Sequence, residues 1–134
     1  MEKAKIMVVD DDADYVYVVK TLLENEQYTV VTAGDKTEGM EKIRAEKPDL
    51  AILDVMMDVW NDGFEMSRQL KRDTRFRNMP VLMLTAVEKK TGIDFKSTVG
   101  DPLWLPVDAF LSKPVEPQTL LAEVKMLLSN NTVN

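Results

Sequence analysis

The chain has 134 residues, with 17 Lys+Arg against 23 Asp+Glu for a net charge of −6, and it contains neither cysteine nor histidine. The missing cysteine excludes disulfides, thiolate metal sites and cysteine nucleophiles; the missing histidine excludes imidazole bases, zinc triads and Ser-His-Asp catalysis. The length fits one domain able to bury a sizeable core. The acidic balance disfavours direct binding of nucleic acid, a polyanion. No apolar run approaches the roughly 20 residues that span a bilayer, and the opening lacks the pattern of a signal peptide. A soluble, cytoplasmic protein with no membrane partner is expected.

Ile6-Met7-Val8-Val9 is a continuous apolar run, which predicts a strand covered on both faces. Tyr15, Val18, Val19, Leu22 and Leu23 recur at helical spacing and predict the apolar stripe of a first helix. Tyr28 to Thr32 is β-branched and predicts a second strand. Asp35, three residues before Glu38, has the form of a capping box opening a helix that must end before Pro48. Leu50-Ala51-Ile52-Leu53 is another continuous strand, ending in Asp54. Asn61-Asp62-Gly63 reads as a turn before a helix reaching about Arg72, and Pro80 opens a strand from Val81 to Leu84 that ends at Thr85. Residues 86–106 carry Lys89-Lys90, Gly92, Gly100, Pro102 and Pro106, and read as a short helix followed by a loop with Trp104. Val107 to Leu111 is a fifth strand. Pro117 opens the last helix, with Leu120, Leu121, Val124, Leu127 and Leu128 as its stripe. The domain is bounded at 1–129, leaving 130–134 as a polar, frayed tail. Strands alternating with helices predict an α/β fold: a doubly wound, five-stranded parallel sheet with helices on both faces, of flavodoxin-like (βα)5 form.

In such sheets ligands gather beyond the carboxyl ends of the strands. There the sequence offers Asp10-Asp11-Asp12, Asp54, Thr85 and, past the fifth strand, Lys113. Carboxylates brought close either raise each other's pKa or take up a cation, and hard oxygen donors select Mg²⁺ or Ca²⁺. A lone lysine beside such a cation suits a transferring phosphoryl group, and a central carboxylate can be its nucleophile. The residues alone thus reach metal-dependent phosphoryl chemistry on an aspartate. An EF-hand starting at Asp10 fails, because Tyr15 stands where Gly is needed and Thr21 where Glu is needed. Asp10-x-Asp12 after a strand also matches the opening of haloacid-dehalogenase-type phosphatases. An aspartate-nucleophile phosphatase using Asp10 is therefore the alternative, although Asp14 stands where that pattern has Thr or Val. No Gly-rich phosphate loop is present.

The segments Val8-Val9-Asp10-Asp11, Leu53-Asp54, Asp62-Gly63, Leu84-Thr85-Ala86 and Lys113-Pro114 occur in this order along the chain. Together they resemble the receiver domain of bacterial two-component response regulators, over essentially the whole length. The resemblance implies that Asp54 accepts a phosphoryl group from a sensor histidine kinase or phosphotransfer protein. It implies Mg²⁺ held by Asp10, Asp11, Asp54 and the backbone carbonyl of Met56. Thr85 would bond a phosphoryl oxygen and Lys113 would pair with the phosphate. Phe110 falls at the family's aromatic switch position, which responds to Thr85, and the family's Lys-Pro bond is commonly cis. The output would be binding to an unknown downstream protein. The chain would be no enzyme toward an external substrate, catalysing only its own phosphorylation and dephosphorylation. Because it ends after the fifth βα unit, a stand-alone receiver is expected.

Three features depart from the family pattern. Asp58 stands where Pro is usual, with one residue more before Gly63; the stretch between Thr85 and Lys113 is long; and Phe110 lacks a tyrosine hydroxyl. The altered Asp54–Gly63 loop motivates a third reading, a phosphorylation-independent receiver-like interaction module. In that loop Trp60 reads as a lid or a contact residue. The resemblance also implies that Met56 and Val87, two past Asp54 and two past Thr85, flank the path of an attacking water; both are apolar, so slow loss of the phosphoryl group is expected.

Overall fold

A computed structural model describes residues 4–54, 62–85 and 107–132. In chain order the elements are β1 (Lys5–Val9), α1 (Ala13–Asn25), β2 (Thr29–Ala33), α2 (Lys36–Glu46), β3 (Leu50–Asp54), α3 (Asp62–Arg72), β4 (Val81–Thr85), β5 (Ala109–Ser112) and α4 (Pro117–Thr132). The strands form one parallel sheet in the order β2-β1-β3-β4-β5. This is the doubly wound, flavodoxin-like sheet that the alternation of strands and helices predicts. No helix among the described residues is long and apolar enough to cross a membrane.

The unbroken apolar runs are explained by burial on both faces, since successive strand side chains point to opposite sides. Met7, Val9, Ala51, Leu53, Val81 and Met83 face α2 and α3, meeting Ile43, Met66 and Leu70. Ile6, Val8, Leu50, Ile52, Leu82 and Leu84 face α1 and α4, meeting Val19, Leu23, Leu120, Val124 and Leu127. Gly39 of α2 lies so close to the sheet that a Cβ there would sit 3.1 Å from Val9 methyls and 3.0 Å from Met66 Cε. The capping box at α2 forms: Asp35 Oδ1 accepts from the Glu38 N–H at 2.8 Å, while Glu38 Oε1 reaches back to the Gly34 N–H at 2.9 Å. The helix closes at Lys47 in the left-handed region, φ 49°, just before Pro48.

Several boundaries differ from the sequence reading. Val18 is exposed, and Val16 packs on the core in its place, because the start of α1 at Ala13 fixes which side of the helix turns inward. Asp62 and Gly63 belong to α3 instead of a preceding turn. Val107 is buried but unpaired as strand; β5 begins at Ala109 because Asp108 spends both its N–H, on Val81 O, and its Oδ2, on the Val81 N–H, at the foot of β4. The Asp108 carboxylate also receives Lys71 Nζ at 2.9 Å, and Lys71 donates to Met79 O, tying α3 to β5 across the turns between Asp73 and Met79. Lastly α4 runs on to Thr132, beyond the limit of 129 read from the sequence, since Ser129-Asn130-Asn131 weaken a helix without containing a Gly or Pro to stop it.

Candidate functional site

The order β2-β1-β3-β4-β5 makes β1 and β3 neighbours, and their register pairs Val9 with Leu53. One residue further along each strand stand Asp10 and Asp54, so parallel pairing delivers both acids to the same edge of the sheet. Both are buried, at 4 % and 7 % exposure, whereas Asp11 is exposed. One carboxylate oxygen from each of Asp10, Asp11 and Asp54 lies within 4.8 Å of the others. Three hard oxygen donors at this spacing fit Mg²⁺ or Ca²⁺, and the set contains none of the sulfur or imidazole ligands that favour zinc.

The turn leaving β1 is organised by the acids themselves. Asp10 Oδ1 accepts from the Asp12 N–H at 2.9 Å. Asp12 Oδ1 then caps α1, accepting from the N–H groups of Asp14 and Tyr15 at 3.1 Å each. Asp12 thus serves the helix, while Asp10 and Asp11 remain with Asp54.

Lys113 enters from the far side, one residue beyond β5. Its Nζ lies 2.7 Å from Asp10 Oδ2 and 3.7 Å from Asp54 Oδ2, and stands over the Tyr15 ring, 4.3 Å from the centroid. Burial works against the charged ammonium, but the bond to Asp10 and the charges of Asp54 and Asp10 outweigh it and hold the Lys113 pKa above its ordinary 10.5. Burial raises the Tyr15 phenol above 10.0; nearby Lys113 opposes that shift, and Asp10 and Asp54 add to it. The Lys113-Pro114 peptide bond is cis.

Thr85 ends β4, with its backbone in register with Ser112, the residue before Lys113. Phe110 is buried within the cluster that faces α2 and α3. The Met56 carbonyl, Asp58, Trp60 and Val87 lie outside the described residues.

The chain matches the family model described as "Response regulator receiver domain" over residues 6–125. It belongs to the response regulator receiver domain family. The receiver is 37% identical over 129 residues to the alkaline phosphatase synthesis transcriptional regulatory protein PhoP of Bacillus subtilis, covering 96% of this chain and 50% of that protein. It is 30% identical over 129 residues to Protein PilH of Pseudomonas aeruginosa, covering 94% of this chain and 98% of that protein. The chain spans about half the length of several curated relatives it matches. Among solved structures, a putative response regulator from Chloroflexus aurantiacus superposes with a TM-score of 0.81 at 26% identity, covering 96% of this chain and 99% of that one. A CheY-like response regulator receiver domain protein from Methanospirillum hungatei gives 0.81 at 29% identity, covering 98% of this chain and 97% of that one.

Of the residues singled out from the sequence, this receiver brings Asp10, Asp11, Asp54 and Lys113 together, and sets Phe110 in the core. The sequence reading placed Tyr15 on the apolar stripe of α1 and missed its contact with Lys113. The available signal was its position, one helical turn past Asp11 and the lone aromatic of that stripe.

Proposed function

We propose that this receiver accepts a phosphoryl group on Asp54 from a histidine kinase or phosphotransfer protein, with Mg²⁺ bound by Asp10, Asp11 and Asp54, and that the phosphorylated form is read by a protein partner. The observation that carries this reading is a buried carboxylate, Asp54, grouped with two others and within 3.7 Å of a lysine ammonium. Membership of the receiver family supports it. A cytoplasmic setting fits such a role.

The Asp54 oxygen is the nucleophile, forming an O–P bond as the donor's bond to phosphorus breaks and the donor leaves with the electron pair. Bound Mg²⁺ would supply positive charge to offset that of the transferring group and the clustered carboxylates. Lys113 adds a fixed positive charge at the same edge and exchanges part of its pairing with Asp10 for the new phosphoryl oxygens. The Thr85 backbone is adjacent to Ser112 and so to the lysine, which lets a change at the phosphorylated aspartate reach β4 and β5 together. The chain acts on no external substrate in this scheme; its output is a shift between two states of its surface.

Treatment with a small phosphodonor and Mg²⁺ is expected to add one phosphoryl group, seen by intact mass, and an Asp54→Asn variant is expected to add none. Persistence of the label in that variant would favour Asp10 as nucleophile and a phosphatase. A wild-type chain that neither takes up label nor binds Mg²⁺ would favour an interaction module without the chemistry.

A further inference from the structure

Tyr15 has no part in the chemistry above, yet it touches the group on which that chemistry depends. Lys113 Nζ has a hydrogen bond to Asp10 on one side, Asp54 within 3.7 Å, and the Tyr15 ring beneath it at 4.3 Å. The ring is held firmly from its own side. The Tyr15 N–H is taken by the Asp12 cap, and its side chain packs against the cluster formed by α1, α4 and the sheet. The same turn that presents Asp10 and Asp11 therefore also places the Tyr15 backbone. Its hydroxyl is buried and finds no hydrogen-bond partner among the described residues. It is the face of the ring, and not its hydroxyl, that meets the ammonium.

We infer that Tyr15 is a positioning residue for Lys113: its ring face holds the ammonium between Asp10 and Asp54, ready for the incoming phosphoryl group. The inference rests on Asp54 being the phosphoacceptor. A lysine carries four rotatable bonds, and a partly desolvated cation above an aromatic face loses much of that freedom before the reaction begins. An aliphatic residue in place of Tyr15 would fill the same core space but offer the ammonium no electrostatic attraction. The lysine would then divide its time between Asp10 and solvent.

The test compares wild type, Tyr15→Phe and Tyr15→Leu in the full chain. Labelling rates are measured with a small phosphodonor at saturating Mg²⁺, and the Lys113 ε-methylene protons are recorded by NMR. Tyr15→Phe keeps the ring and is expected to label within about twofold of wild type, while Tyr15→Leu is expected to label about three- to tenfold more slowly. The ε-methylene resonances are expected upfield in wild type and Tyr15→Phe, from ring-current shielding, and at ordinary positions in Tyr15→Leu. Equal rates in wild type and Tyr15→Leu would overturn the inference, as would equal slowing in both variants or methylene shifts that do not depend on the ring. Should wild type itself take no label, the phosphoacceptor reading fails separately; the methylene shifts then decide alone whether the ring holds the ammonium.

Discussion

Replacing Asp54 by Asn should make the metal-free protein more stable while abolishing its chemistry. The Asp10 and Asp11 carboxylates approach that of Asp54 within 4.8 Å. At that distance and an effective dielectric of about 20, each like-charge pair costs about 3.5 kcal/mol. Asp11 is exposed, so its share falls toward the value in water, about 1 kcal/mol. Against this, Lys113 at 3.7 Å contributes about 4.5 kcal/mol of attraction at the same dielectric. Among these four groups the charge–charge contributions nearly cancel. What remains is the desolvation of a carboxylate that is only 7 % exposed, several kcal/mol, which a neutral amide largely escapes while losing some hydrogen bonding of its own. The expected net gain is about 1–2 kcal/mol, read as a rise of roughly 4–8 °C in thermal midpoint with a chelator present. Saturating Mg²⁺ should then stabilise wild type by about 2.7 kcal/mol at a hundredfold excess over Kd, and the variant by less, closing the gap. An Asn variant no more stable than wild type in chelator, with both raised equally by Mg²⁺, would refute the reasoning.

Three further outcomes are expected. The Lys113 pKa is raised in the fold, so the stability it contributes is fully present below the unfolded value near 10.5 and is lost as pH rises through the folded value. Alkaline unfolding curves should therefore fall more steeply for wild type than for Lys113→Met, and parallel curves would contradict the assignment. In the receiver family the positions of Met56 and Val87 flank the path of an attacking water, so Met56→Asn together with Val87→Glu would offer that water polar groups to orient it. This pair should speed loss of the phosphoryl group about tenfold, the scale of one good hydrogen bond formed in the transition state, measured by decay of the labelled mass. Gly39→Ala gains about 1 kcal/mol of helix propensity but presses a methyl to 3.1 Å from the branched side chain of Val9. Overpacking of about 1–3 kcal/mol leaves a net loss near 1 kcal/mol by urea unfolding, since Met66 can swing aside and Val9 cannot.

The sheet was legible in the sequence because burial on both faces demands continuous apolar strands, and four such runs stand out: Ile6–Val9, Leu50–Leu53, Val81–Leu84 and the stretch around Phe110. The cap of α2 was legible for a local reason, since Asp35 bonds the backbone three residues further on. Orientation was not. Val16 and Val18 differ little in composition or spacing, and only the docking of α1 on the sheet decided which is covered. The fifth strand's start shifted because Asp108 bonds across to Val81, a contact 27 residues away that no local pattern announces. The loop with Met56, Asp58 and Trp60 and the segment 86–106 lie outside the described residues, and their expected roles stand as read from the sequence.

The sequence by itself determined the kinds of groups at the site: acids at the ends of apolar strands, a threonine after the fourth and a lysine after the fifth. Those positions follow from the near-neighbour physics of burial, turn chemistry and chain alternation. Only the tertiary structure decided the distances, because they depend on strand order and register between segments far apart in the chain. Pairing of Val9 with Leu53 put Asp10 beside Asp54, and two more strands of parallel sheet brought Lys113, 103 residues from Asp10, to within 2.7 Å of it. The ring of Tyr15 under that lysine belongs to the same class. Its residue type reads as core, and only the meeting of α1 with the end of β5 turned it toward the site.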